Sequence, residues 1–477
     1  HHDPDQWTHW RPRCGALAAA LAVRLWVVGN NGGVNDLPRK AIVRGARLAA
    51  LPLGFAGRTA MGLGKRLGGA NAEVVLSDVQ QRTAEQVFRT LGELKGGAMK
   101  FGQALSIMES ALPEDMAAPY RSQLTALQDS APPMPTRTVR TILADDLGAD
   151  WKKRLVAFDP EPAAAASIGQ VHKGTWYDGR EVAVKVQYPG AGEALLSDLK
   201  QIARLGRSIG SMLPGVDVNP LIDELLDRAK DELNYPLEAE AQSAFAEAFA
   251  DDPRFVIPAV VEVGPRVLIS EWLDSESSLA AVIADGSQAE RDHYGQLFTR
   301  FLFDGAQRTG MLHADPHPGN YRVIPSEGEL GKLGVLDFGA VARLEGGQLP
   351  EAMGRLIRVA SLSDHDALLE GLRDEGFVRP GIKIDPDVLL DYLSPFVEPA
   401  SSEQFTFSRA WMREQFQRIN NPREPGYTLA VKLNLPASYM LIHRTWLGGV
   451  GVMCQLEATA PFRAILTQFL PGFANPE

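Results

Sequence analysis

The sequence predicts an α+β protein of two lobes behind a helical leader, and three observations carry that prediction. Helical spacing of apolar residues rules from Leu76 to about Gln128. Period-two alternation appears around 171–186 and again at 255–271, with helical stretches between. From Gln288 onward helical spacing returns, broken by HADPHPGN at 313–320 and by VLDFG at 335–339. A mixed lobe followed by a helical one leaves a cleft between them. A chain of 477 residues is also too long for one ordinary core.

The elements follow in order. The first seventy residues are rich in Arg, Ala and Gly and poorly patterned; residues 16–28 are apolar but too short, with Arg24, to span a membrane. Val79, Val87, Leu91 and Leu94, then Phe101, Leu105 and Met108, lie at helical spacings around Gly96-Gly97, and APPMPT at 131–136 closes the region as a linker. Residues 138–147 read as a helix. Val171 to Tyr177, the Asp178-Gly179 turn and residues 181–186 read as a hairpin. A long helix is expected over 193–213 and another from after Pro220 to about Ala250. Residues 255–263 and 266–271 read as strands of the same sheet, and 439–453 as a buried helix. The expected divisions are a leader (1–74), a helical extension (75–136), an α/β lobe (137–274) and a helical lobe (275–477).

Composition excludes several classes. Lys plus Arg total 48 against 59 Asp plus Glu, a net charge of -11, which argues against bulk nucleic-acid binding. The two cysteines, Cys14 and Cys454, sit at opposite ends, so neither a disulfide framework nor a cysteine metal site is expected, and a reducing cytoplasm fits. No credible transmembrane span is found in the sequence.

Asp315 and Asn320 stand in HADPHPGN, and Asp337 follows in VLDFG. Kinase-type phosphoryl transfer needs that order: one carboxylate to hold the acceptor, then an amide oxygen and a second carboxylate for the metals on ATP. Pro316, Pro318 and Gly319 stiffen the loop. In VAVKVQYP, Val184 and Val186 point to one face of a strand and Lys185 to the other, where an ammonium can meet the α/β-phosphates. Alone, such a lysine would be a solvent-facing residue; the downstream motifs reverse that preference. Its expected partner is a helical carboxylate, Glu238 first, with Glu232 and Glu240 as rivals. PAAAASIGQ at 162–170 stands where a loop would cover the phosphates, although an Ala run by itself favours helix. His313 and His317 beside carboxylates admit a zinc or iron site as a competing reading, disfavoured by the two prolines and the lack of a third placed histidine. His313 is expected instead to support the loop by a buried hydrogen bond. Lys100 and Gln103, in KFGQ, share one helix face.

Taken together, LKGGAMKFGQALS, AAAASIGQVHKG, VAVKVQYPG, NPLIDELLDRAKDELNYPLEAEAQ, LISEWLD, HADPHPGN and VLDFGAV resemble the ABC1/AarF/UbiB family of atypical kinase-like proteins, which includes the ADCK and COQ8 proteins. The resemblance covers about residues 75–455. It implies a bilobal protein-kinase-like fold with an N-terminal helical extension packed on the nucleotide lobe. It further implies Lys185 as the nucleotide lysine with Glu238 as its ion-pair partner. Ala164, Ala165, Ala166, Ser167, Ile168 and Gly169 would form an Ala-rich loop, and Glu271 to Leu273 the hinge at the adenine. Asp315 would be the catalytic aspartate, with Asn320 and Asp337 holding Mg²⁺ on ATP or ADP. Lys100 and Gln103 fall in the family's KxGQ motif, whose helices fold across the cleft. Glu232 matches its ExD motif, but Asn234 stands where the family has aspartate, and an amide cannot supply the same charge.

Family members are similar in being poor protein kinases with ATP binding and ATPase activity, and in supporting isoprenoid quinone biosynthesis at membranes. An Mg-dependent ATPase or small-molecule kinase is therefore expected, with a nucleotide-gated pseudokinase-like scaffold or lipid-binding module as the alternative. A peptide kinase is not, because no APE-type signal closes the segment after DFGA. The implied partners are a lipid- or quinone-like small molecule and quinone-biosynthesis proteins. Peripheral contact with the inner face of the plasma membrane is expected through the leader, with 38–66 as the candidate surface.

Overall fold

The computed structural model describes residues 133–474, apart from 167, 191, 193–195, 197–222, 224–225, 228–229, 327–328 and 421–423. The leader, the extension with Lys100 and Gln103, Ser167 and most of the helix expected at 193–213 lie outside the described residues.

Helix α1 (Thr136–Leu147) begins directly after the proline-rich linker. Val139, Ile142, Leu143 and Leu147 form one stripe and are buried. That stripe covers one face of a five-stranded antiparallel sheet built from β1 (Leu155–Ala166), β2 (Gly169–Trp176), β3 (Glu181–Gln187) and two later strands. The β2–β3 turn closes as its residues dictate: Gly179 takes φ 92°, and the Asp178 carboxylate accepts from the Arg180 N–H at 3.1 Å. Along β3, Val182, Val184 and Val186 are 0% exposed on the α1 side, which turns Lys185 to the opposite face.

The helix expected to run unbroken to Ala250 is interrupted. Helix α2 (Tyr235–Ala248) starts afresh, with Asn234 as its N-cap accepting from the Leu237 N–H at 3.2 Å. Pro236 is the reason: it has no N–H to give an earlier turn and is tolerated only at the start of a helix. A second correction concerns 255–263. Pro258 splits it into β4 (Phe255–Val256) and β5 (Val260–Val263), which join different sheets. β5 pairs with β6 (Val267–Glu271), giving the order β1-β2-β3-β6-β5. β4 instead runs parallel to a strand of the second lobe.

After β7 (Ser277–Ser278) and α3 (Leu279–Asp285) the chain enters α4 (Gln288–Thr309), opened by a Ser287–Glu290 capping box and ended by Gly310 in the left-handed region. β8 (Met311–His313), β9 (Tyr321–Ser326), β10 (Glu329–Val335) and β11 (Val341–Arg343) form the floor of the cleft, with a four-stranded sheet β4-β10-β9-β7 and a separate β11-β8 pair. Helices α5 (Glu351–Ser361), α6 (His365–Asp374), α7 (Pro386–Val397), α8 (Arg409–Asn420), α9 (Met440–Leu456) and α10 (Phe462–Phe469) complete the lobe. The large core runs from Phe245 of α2 and Phe249 at its C-cap through α4 to α9 and α10, so α2 packs on the second lobe as well as on the sheet. Among the described residues no helix is long and apolar enough to cross a membrane.

Candidate functional site

Lys185 meets its partners across the cleft. Its Nζ lies 2.7 Å from Glu238 Oε1 on α2 and 3.3 Å from Asp337 Oδ1 in the VLDFG turn. Lys185 and Glu238 side chains are 16% and 3% exposed, while Asp337 is 37% exposed and faces the cleft opening. Burial works against the ammonium's charge, but Asp337 and Glu238 outweigh it and hold the Lys185 pKa above the ordinary lysine range. The ring of Tyr235, one helical turn before Glu238, lies under the same ammonium at 5.3 Å. Of the rivals for Lys185, Glu240 turns outward to Arg343 at 3.1 Å, and Glu232 is half-buried ahead of the α2 cap.

The HADPHPGN loop and the VLDFG turn are held to each other by backbone. β8 pairs with β11 so that His313 faces Val341, and the Ala314 N–H donates to the Ala340 carbonyl at 2.9 Å. Tyr321 faces Val335 across β9–β10, and the Leu336 N–H donates to the Asn320 carbonyl at 2.8 Å. His313 Nε2 donates to the Asp337 carbonyl at 3.0 Å, which leaves Nδ1 to accept from the Tyr321 hydroxyl at 3.5 Å. Burial lowers the His313 pKa and keeps the ring neutral. Asp337 itself takes φ 61°, a left-handed conformation that aspartate tolerates, and its Oδ1 accepts from the Gly339 N–H at 3.3 Å. Phe338 is buried against Phe245 and His313, each at 5.1 Å between centroids. Asp315 is 7% exposed, and its carbonyl accepts from Asn320 Nδ2 at 3.3 Å, so the Asn320 amide oxygen is turned away from that bond.

The alanine run is a strand rather than a helix. Ala164, Ala165 and Ala166 pair with Val171, Gln170 and Gly169, making a tight hairpin with Ile168 at its turn. Ile168 is buried with Tyr235, Ala239 and Leu268, which pins the tip to α2. Gly169 lies so close to the Val186 carbonyl that a Cβ would collide with it. Beside the turn Gln170 Oε1 accepts from the Met134 N–H at 2.7 Å, and its Nε2 lies 2.8 Å from His172 Nε2. His172 Nδ1 is in turn 2.9 Å from the Asp159 carbonyl. At the hinge, Glu271 pairs with Arg180 at 3.0 Å, the Trp272 N–H donates to the Glu181 carbonyl, and Leu273 packs on Gly334.

The structure thus brings Lys185, Glu238 and Asp337 into one cluster and ties Asp315 to Asn320. Sequence reasoning missed Tyr235, Gln170 and Phe245. Tyr235 was findable: it stands three residues before Glu238, on the same helix face. The donor set is oxygen only, the amide oxygen of Asn320 and the carboxylate of Asp337 at adjoining ends of one hairpin, and this suits Mg²⁺.

A family model of the ABC1 atypical kinase-like domain matches residues 126–370. The atypical kinase coq-8, mitochondrial, of Caenorhabditis elegans is 31% identical over 426 residues, 84% of this chain and 55% of that protein. The atypical kinase COQ8B, mitochondrial, of Rattus norvegicus is 28% identical over 367 residues, 74% of this chain and 68% of that protein. The chain therefore spans only part of the length of these curated relatives. Among solved structures, that of Rv3197 from Mycobacterium tuberculosis, titled as its complex with erythromycin, is 40% identical with a TM-score of 0.64, covering 85% of this chain and 100% of that one.

Proposed function

The chain belongs to the ABC1 atypical kinase-like family, and on that premise we propose that it binds ATP with Mg²⁺ between its lobes. It would use the nucleotide for hydrolysis or for phosphoryl transfer to a small molecule, in support of isoprenoid quinone or lipid metabolism. The observation that carries this reading is the half-buried ammonium of Lys185 held between Glu238 and Asp337, one carboxylate from each side of the cleft.

In this reading Lys185 pairs with the α/β-phosphates, and Glu238 keeps its ammonium aimed while Asp337 is engaged by metal. Asn320 and Asp337 hold the Mg²⁺, which supplies neutralisation of charge on the transferred phosphoryl group. Asp315 orients the acceptor, water in the hydrolytic case. The hairpin of Ala164 to Gly169 covers the phosphates and the Glu271 to Leu273 segment meets the base. Residues 75–132, with Lys100 and Gln103, lie outside the described residues; the family resemblance would carry them across the cleft toward Glu232 and Asn234. Rate enhancement would come from positioning and charge rather than covalent chemistry.

Phosphate release from MgATP tests this, for the wild-type chain and Asp337→Asn, with and without quinone-headgroup mimics and anionic vesicles. Because erythromycin is named with the Mycobacterium relative, a macrolide belongs among the added small molecules. Turnover that requires Asp337 and rises with headgroup or vesicles is the expected result. A second reading, a nucleotide-gated scaffold, is favoured by the hairpin, whose strands pair with each other up to Ala166 and Gly169. Tight nucleotide binding without phosphate release would install that reading instead.

A further inference from the structure

We propose that Gly448, on α9 and beyond the stretch that the family model matches, is a positioning residue that sets the catalytic loop through Pro316. The inference rests on Asp315 acting in phosphoryl transfer, as proposed above. A Cβ on Gly448 would stand 2.5 Å from Pro316 Cγ and 3.6 Å from its Cδ. Pro316 directly follows Asp315. A proline ring cannot swing aside as a flexible side chain does, so an intrusion there moves the backbone that carries Asp315.

The helix has little freedom to retreat. A Cβ on the neighbouring Gly449 would stand 3.1 Å from Leu302 Cδ1 of α4. Trp446, one turn earlier, is buried edge-on against Phe303 at 5.8 Å and Phe462 at 5.6 Å. Gly448 therefore lets α9 sit against the catalytic loop, while a Cβ at Gly449 would ask the Leu302 methyl to give by only a few tenths of an ångström. A cavity of about 40 Å³ borders α9 on the α4 side, lined by Leu302, Leu312, Thr445, Trp446 and Gly449 among others. The helix could recoil only as far as that space allows, roughly one or two waters' worth.

The test compares Gly448→Ala, Pro316→Ala, the double variant and Gly449→Ala by MgATP turnover, nucleotide affinity and amide hydrogen exchange of residues 313–320. Alanine is the better helix former, so a merely structural account expects no loss from Gly448→Ala. The positioning account expects kcat to fall about 10- to 100-fold with nucleotide affinity nearly unchanged, because misplacement by about 1 Å costs that much. It also expects faster exchange in 313–320. The double variant, lacking Cγ, should recover to the level of Pro316→Ala, and Gly449→Ala should stay close to wild type. Wild-type turnover in Gly448→Ala would mean that α9 recoils into the cavity, and the inference falls. It falls equally if the double variant shows no recovery, or if Gly449→Ala loses as much. Should the wild-type chain show no turnover, the phosphoryl-transfer reading fails, whereas exchange in 313–320, raised by Gly448→Ala and restored in the double variant, still decides the contact.

Discussion

Lys185 and Asp337 meet across the cleft, yet the two lobes hold them by different means. In the small lobe, strand alternation turns Lys185 toward α2, and charged partners then fix its ammonium: Glu238 at 2.7 Å and Asp337 at 3.3 Å. In the large lobe the backbone itself fixes Asp337, through the β8–β11 pair, the His313 bond to its carbonyl and the Leu336–Asn320 bond. One half of the site depends on partners that a bound nucleotide would compete for. The other half is set by the fold before anything binds. Preorganisation is therefore concentrated where a metal would be held, and adaptability where phosphates would arrive.

The sharpest way to break the small-lobe half is Lys185→Met. It leaves the buried Glu238 facing Asp337 with no cation between them, and removing one partner of such a group costs about 3–5 kcal/mol. Chemical denaturation should show that loss, and a loss below about 1 kcal/mol, the range of exposed pairs, would mean that the cluster is effectively solvated.

The large-lobe half should instead respond to pH. Burial lowers the pKa of both His313 and His317 in the folded chain, so the unfolded chain takes up protons first as pH falls. The stability this contributes is complete above the free-histidine value of about 6.5 and declines below it. Thermal melts between about pH 7.5 and 5 should fall on the acid side of that value, with a shallower fall in His313→Gln. A Tm that holds steady through that range would show both rings to be solvent-accessible.

The smallest effect separates the charge at the α2 N-terminus from its hydrogen bond. Asn234→Ala should cost about 1 kcal/mol through the lost cap on the Leu237 N–H, while Asn234→Asp keeps the cap and gains up to about 0.5 kcal/mol from the helix dipole. Urea melts of the pair check it; equal losses in both variants would show that the cap contributes nothing.

The same contrast explains what was legible in the sequence. Motifs whose chemistry is local could be read directly: the order of Asp315, Asn320 and Asp337, and the facing of Lys185 from its flanking valines. The strand formed by Ala164 to Ala166 could not, because alanine favours helix and only pairing with β2, itself seated on β3, overrides it. The break before α2 and the division of 255–263 are signalled by Pro236 and Pro258, which outweigh the helical and alternating patterns around them. Contacts between residues far apart in the chain, such as Gly448 with Pro316 or Arg266 with Asp146 at 2.6 Å, leave no periodic trace.

Helix α1 has a practical consequence for anyone trimming this protein. It supplies four of the buried side chains on the valine face of β3, Val139, Ile142, Leu143 and Leu147, and the linker before it donates the Met134 N–H to Gln170 beside the turn of the hairpin. A fragment cut after Leu147 would therefore present Val182, Val184 and Val186 to water as one apolar sheet face, the kind of surface that associates with copies of itself. Any expression fragment meant to isolate the nucleotide lobe has to begin upstream of Met134.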